Sequence, residues 1–157
     1  MRLSTTTIEP VCKQRRVPLD QQRAFELFTD SMATWWPLGT HSCGGEDADD
    51  IRFEGRIGGR VVEITTDGTE YAWAEVIAWD PPHRFALAWH PVPEPLAATI
   101  IDVRFTTLDD GGTQIDLVHN AWEELGDELG RTTRAGYDTG WDHVIGEFDR
   151  IHVATGR

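Results

Sequence analysis

His119 closes a segment in which Ile115 and Leu117 alternate with Gln114, Asp116 and Val118, and it falls on the parity of the two inward apolar residues. A half-buried strand has period two, so the imidazole is expected to face the interior. There its neutral form is favoured, and it could serve as a hydrogen-bond partner or as a general base. The plainer alternative is a structural histidine bonded to a backbone carbonyl or to Tyr137. Trp36, Trp73, Trp89, Trp122 and Trp141 add a second kind of chemistry, a stacking box for a planar molecule. A single tryptophan at strand or helix spacing is more often plain core. Seven tryptophans in 157 residues are nonetheless hard to pack tightly, and a partly hollow interior relieves that difficulty. Any catalysis would then be proton transfer or substrate shaping within a pocket, with His119, Tyr137 and Glu75 as the candidate groups.

Other constellations carry less. His41, Cys43, His90 and His119 invite a zinc reading, but His-x-Cys is not the spacing of a recognised structural site, and no Cys-x-x-Cys or His-x-x-x-His accompanies it; no metal is expected. The glycine-rich run from Gly55 to Arg60 lacks the Gly-x-Gly-x-x-Gly order and a following helix, so it reads as a turn and not a phosphate cradle. Ser31 and Ser42 have no base in the pattern, and there is no Gly-x-Ser-x-Gly elbow. The acidic clusters Glu46/Asp47/Asp49/Asp50 and Glu123/Glu124/Asp127/Glu128 lack the spacing of a calcium loop and read as a solvated loop and a solvated helix face. Cys12 and Cys43 are too few for a disulfide framework.

The elements that must position these groups follow from punctuation and period. Gly58-Gly59, Asp67-Gly68, Asp80-Pro81-Pro82 and Asp109 to Gly112 separate stretches of strand-like alternation. The strands are expected within Thr5–Val17, around Ile51 and Phe53, over Arg60–Thr66 and Thr69–Trp79, and around Phe85–Trp89, Ile101–Phe105 and Ile115–His119. Asp20 is placed to cap a helix. Phe25, Phe28, Met32 and Trp35/Trp36 then recur at helical spacing up to Pro37, giving one helix over Leu19–Trp36 broken near Thr29-Asp30, or two short ones. Leu38 to Asp50 reads as a loop. Tyr137, Trp141, Val144/Ile145, Phe148 and Ile151 mark a long amphipathic helix from about Thr132 to Ala154. Antiparallel strands with helices on one face make an α+β fold, a single domain over residues 1–157.

A net charge of −13 repels phosphate backbones and anionic lipid headgroups, which argues against nucleic acid and the membrane surface as partners. With neither a signal peptide nor a membrane span in the pattern, a cytoplasmic protein is expected.

The order of elements and their motifs resemble the START-like, or Bet v 1-like (SRPBCC), superfamily, and within it the family named after the activator of heat shock protein 90 ATPase. The matching stretches are Phe25 to Phe28, Trp35-Trp36-Pro37, Phe53 to Arg60, Trp73 to Pro82, Trp89-His90, Gly111 to Thr113, Leu117 to His119 and Gly140-Trp141. The resemblance implies a helix-grip fold, a curved antiparallel sheet of six to seven strands around a long C-terminal helix, with a cavity between sheet and helix. It does not imply one activity. On the residue pattern the ligand-facing set is expected to be Phe28, Trp36, Trp73, Trp89, Ile101, Val103, Leu117, His119, Tyr137, Trp141 and Ile145. The expected function is carriage or sensing of a small hydrophobic molecule, without a cofactor. The alternatives are a cyclase-, aromatase- or hydrolase-like enzyme using His119, and a co-chaperone interaction domain. Ala72, Ala74, Ala86 and Ala88, read as outward, could give a flat face for a homodimer.

Overall fold

The computed structural model describes residues 7–37, 45–90 and 98–155, with side chains described as far as Glu147. Strand β1 (Val11–Val17) is followed by helix α1 (Gln21–Phe28) and by six further strands: β2 (Ala48–Phe53), β3 (Arg60–Thr65), β4 (Glu70–Asp80), β5 (Arg84–Trp89), β6 (Thr99–Thr107) and β7 (Thr113–Asn120). Helix α2 (Asp127–Thr155) closes the chain. The seven strands form one antiparallel sheet in the order β1-β7-β6-β5-β4-β3-β2. The first strand thus returns to pair with the last, and everything between is a meander of hairpins.

Local chemistry explains the element ends. The Asp20 carboxylate accepts the Arg23 backbone N–H at 2.8 Å and caps α1. The chain leaves the helix at Thr29 and makes one 3-10 turn over Met32–Thr34, so the expected broken helix is a short helix and a turn. At the Asp67-Gly68 hairpin, Gly68 takes a φ of 88°, and Asp67 accepts from the Thr69 N–H and hydroxyl. A bond from the Thr65 hydroxyl, together with those two from Thr69, pulls the Asp67 carboxyl down to about 2. Two boundaries differ from the sequence reading. A 3-10 turn over Gly45–Asp47 leads into β2 at Ala48, so Asp49 and Asp50 lie in an edge strand instead of a loop, where their charges discourage pairing with another sheet. Helix α2 begins at Asp127, five residues before the expected start; Asp127 and Glu128 fill its first turn, where acidic side chains meet the positive end of the helix dipole. At 29 residues α2 is about 43 Å long.

Helix α2 is fastened to the free edge of β1. Lys13 reaches Asp138 at 2.7 Å and Asp142 at 3.0 Å, and Arg134 donates to the backbone carbonyls of Glu9 and Pro10. Its first turn lies close over Trp122; a Cβ at Gly130 would stand 2.3 Å from the Trp122 carbonyl oxygen, so only glycine fits there. The core fills the concave side of the sheet. Its buried members include Val61, Val76, Leu87, Ile101, Val103, Phe105, Ile115 and Leu117 from strands, Phe25 and Phe28 from α1, and Trp141, Val144 and Ile145 from α2.

Two register shifts matter for the site. Val61 pairs with Ala74, but Val62 pairs with Ala72, so Trp73 is an inserted residue in β4. A second shift falls between Val76 and Ala78. Such bulges add one residue and re-aim the side chains around them.

Candidate functional site

His119 is fully buried, and its ring is fixed by bonds that define its tautomer. The Trp141 indole donates to Nδ1 at 2.9 Å. An indole N–H can only donate, so Nδ1 is the acceptor and Nε2 holds the proton. Nε2 donates to Thr99 Oγ1 at 2.7 Å, and the threonine hydroxyl is directed at the Trp89 carbonyl at 3.4 Å. Trp122 lies against the imidazole, with ring centres 4.1 Å apart, and donates its indole N–H to the His119 carbonyl at 2.9 Å. Burial pushes the imidazole down to about 3, so it stays neutral across the physiological range. Both ring nitrogens are engaged within the protein. The lone pair a general base would need is held by Trp141, and the partners are Thr99 and Trp141 in place of the expected carbonyl or Tyr137.

Four of the five candidate tryptophans pack together. Trp36, delivered by the turn after α1, has its ring centre 5.0 Å from Trp73, 6.2 Å from Trp89 and 5.9 Å from Trp141. It thereby bridges the sheet and α2. Trp73 and Trp89 are 5.7 Å apart, and Trp89 donates to the Tyr137 hydroxyl at 2.8 Å. Tyr137 also packs on His119 at 4.9 Å. Trp122 instead supports His119 from the side of the 3-10 turn over Trp122–Leu125. Ile101, Val103, Leu117 and Ile145 are buried in the same core. Phe28 lies toward the other end, against Trp35, Phe85 and Phe105, within a phenylalanine cluster.

One site residue escaped the sequence reading. Glu63 is wholly buried on the concave face, with its Oε1 accepting the Trp73 indole N–H at 2.9 Å. Its cross-strand neighbours are Ile51 and Tyr71. Trp73 lies two residues beyond Tyr71, on the same inward face, and presents its N–H to Glu63 there; the bulge at Trp73 then turns Ala74 inward as well. The same insertion sends Glu75 outward. It pairs with Ala88, is exposed, and leaves the candidate site. Ala74 pairs with Trp89 and belongs to the core, and Ala86 is buried as well, so the expected flat alanine face keeps only the half-buried Ala72 and Ala88. The alternation in β3 could not have singled out Glu63, because Val61 and Val62 are apolar on both parities. A buried carboxylate is costly unless donors meet it, which is why its position stands out once the fold is known.

His90 is exposed, away from buried His119, while His41, Ser42 and Cys43 lie outside the described residues. No helix among the described residues is long and apolar enough to cross a membrane.

A curved seven-stranded antiparallel sheet gripping a long C-terminal helix defines a helix-grip protein of the Bet v 1-like superfamily. The family described as activator of Hsp90 ATPase homolog 1-like protein matches residues 18–152, and the chain belongs to it. Among solved structures, an anthrahydroquino-gamma-pyrone synthase is 33% identical, with 85% of this chain and 89% of that one covered at a TM-score of 0.56. Protein MLL2253 from Mesorhizobium loti is 14% identical over 94% of this chain and 98% of that one, at a TM-score of 0.68. The Aha1 dimer from Colwellia psychrerythraea is 16% identical over 90% and 94%, at a TM-score of 0.64. At those two lower identities the likeness is one of fold. No curated protein matches the chain.

Proposed function

We propose that the protein binds a small planar aromatic molecule on the concave face of the sheet, against Trp36, Trp73 and Trp89 and beneath α2, as a carrier or sensor. The observation that carries this reading is the convergence of indoles from β4, β5, α2 and the turn after α1 on one spot, with Trp36 in contact with the other three. Flat π-faces in an apolar surround, with few polar groups, suit an aromatic ligand better than a flexible chain. The convex face supports this over a chaperone-docking role: Arg84 and Asp102 pair across it at 2.6 Å, and Arg104 joins Asp102 at 3.3 Å.

Titration of the full-length protein with anthraquinone, followed by tryptophan fluorescence, tests the reading. Saturable quenching is expected, weakened about tenfold or more in Trp36→Ala, the scale of losing one stacking partner. Unchanged quenching in a folded Trp36→Ala variant would count against it.

A second reading is favoured by the 33%-identical relative, which is a synthase named for a fused aromatic product. On this reading the same face holds such a molecule while it reacts. Incubating the protein with a ligand extracted from it, and finding a chemically altered molecule by mass spectrometry, would favour catalysis over carriage.

A further inference from the structure

We infer that residues 136–142 of α2 form a latched flap over the aromatic face, and that a ligand enters and leaves by local opening of this stretch. The inference rests on the ligand-binding reading above and deepens it by assigning the route to the site.

The stretch is one triplet used twice. Gly136-Tyr137-Asp138 and Gly140-Trp141-Asp142 stand four residues apart, so corresponding residues are neighbours on one face of the helix. The aromatic members reach the site. Tyr137 accepts from the Trp89 indole at 2.8 Å, and Trp141 donates to His119 at 2.9 Å with its ring centre 5.9 Å from Trp36. The acidic members meet one cation, for Lys13 on β1 holds Asp138 at 2.7 Å and Asp142 at 3.0 Å. The lysine side chain is 15% exposed, but those of the aspartates are 47% and 62% exposed. Ion pairs so open to water are weak and screened by salt, which suits a releasable latch better than a fixed brace.

The glycines point the same way. In a helix interior, glycine disfavours the helix about four- to fivefold relative to alanine, so a packing reason for it is sought first. Gly130 has one, because a Cβ there would stand 2.3 Å from the Trp122 carbonyl oxygen. Gly136 and Gly140 have none. Among the described residues, nothing beyond the adjoining helix lies within 4 Å of a Cβ at either, and neither takes a positive φ. Gly146, equally open, follows the second triplet. The effect of Gly136 and Gly140 is to make unwinding easier directly beside the two aromatic residues that α2 sets over the site. Elements that open locally are drawn from the least stable parts of a fold, and lids over binding sites are among them. Opening of residues 136–142 lifts Tyr137 from Trp89 and Trp141 from His119 and Trp36. Meanwhile Gly130 against Trp122, and Arg134 on the Glu9 and Pro10 carbonyls, keep the start of α2 in place.

Hydrogen exchange and stopped-flow tryptophan quenching by anthraquinone, both on the full-length protein, test the inference. In the wild type, the amides of residues 137–142 are expected to exchange faster than those of β6 and β7, through opening that leaves the sheet intact. The double variant Gly136→Ala/Gly140→Ala should slow exchange in that stretch roughly twentyfold, the product of the two glycine effects. Association and dissociation of anthraquinone should slow together by the same factor. Free and bound protein are closed alike, so Kd should stay within about twofold. Lys13→Met, which removes the latch, should speed association and dissociation severalfold, again with little change in Kd. A double variant whose exchange slows while both rates stay as in the wild type overturns the inference and leaves the aromatic site standing. Protection of residues 137–142 equal to that of β6 and β7 in the wild type also overturns it, and needs no ligand. Absence of quenching in the wild type removes the aromatic site itself, and the inference with it.

Discussion

At one end of the concave face, Phe25, Phe28, Phe53, Phe85 and Phe105 pack around Trp35 and Trp79, with ring centres between 4.9 and 6.4 Å apart. The Trp35 N–H is satisfied by the Leu27 carbonyl. At the other end, indoles from Trp73, Trp89 and Trp141 each donate to a side chain: Glu63, Tyr137 and His119. The phenylalanine end needs only shape and dispersion, and its packing resists change through volume alone. The tryptophan end spends desolvation on buried polar atoms, which a filler core has no reason to do. The first region is thus expected to hold the stability and, on the function proposed above, the second to select the ligand, although both are aromatic and they touch at Trp35 and Trp36, 5.9 Å apart.

The contrast can be broken experimentally. Phe85→Ala, in the middle of the phenylalanine end, should cost about 3–5 kcal/mol in urea unfolding, because the ring leaves a cavity that its neighbours cannot fill. A loss below about 1 kcal/mol would mean that this end is not the stability centre. His119→Phe keeps the ring but strands the Trp141 N–H and the Thr99 hydroxyl, at about 2–4 kcal/mol by the same measurement. Loss near zero would show that the polar end relaxes freely.

A pH series sharpens the point. The folded imidazole titrates at about 3, below its ordinary 6.5, so between those values the unfolded chain binds a proton that the native state refuses. Its contribution is therefore complete above pH 6.5 and is lost as the pH falls towards 3, at up to about 1.4 kcal/mol per unit. His119→Phe should show a shallower slope over that window, and an unchanged slope would reassign the acid sensitivity.

Much of the fold was legible. The turn residues Asp67-Gly68 and Asp109 to Gly112 separate strands where expected, and Asp20 caps α1. The inward parity of Ile115, Leu117 and His119 holds because β7 is regular along its whole length, with Thr113, Ile115, Leu117 and His119 all buried. Beta4 was misread for the opposite reason. Counting by twos from Trp73 places Glu75 inward, and one inserted residue turns it out and Ala74 in.

Sequence by itself determined what depends on neighbours along the chain: turn positions, the helix cap, the amphipathic period of α2 and the family, all set by local chemistry and repeating pattern. Tertiary structure alone decided what depends on pairing between distant strands. It placed the bulge at Trp73, brought Glu63 to that indole, and committed both nitrogens of His119 to Thr99 and Trp141, residues 20 and 22 positions away. Register and hydrogen-bond partners are properties of two strands or of a strand and a helix together, and no single segment encodes them.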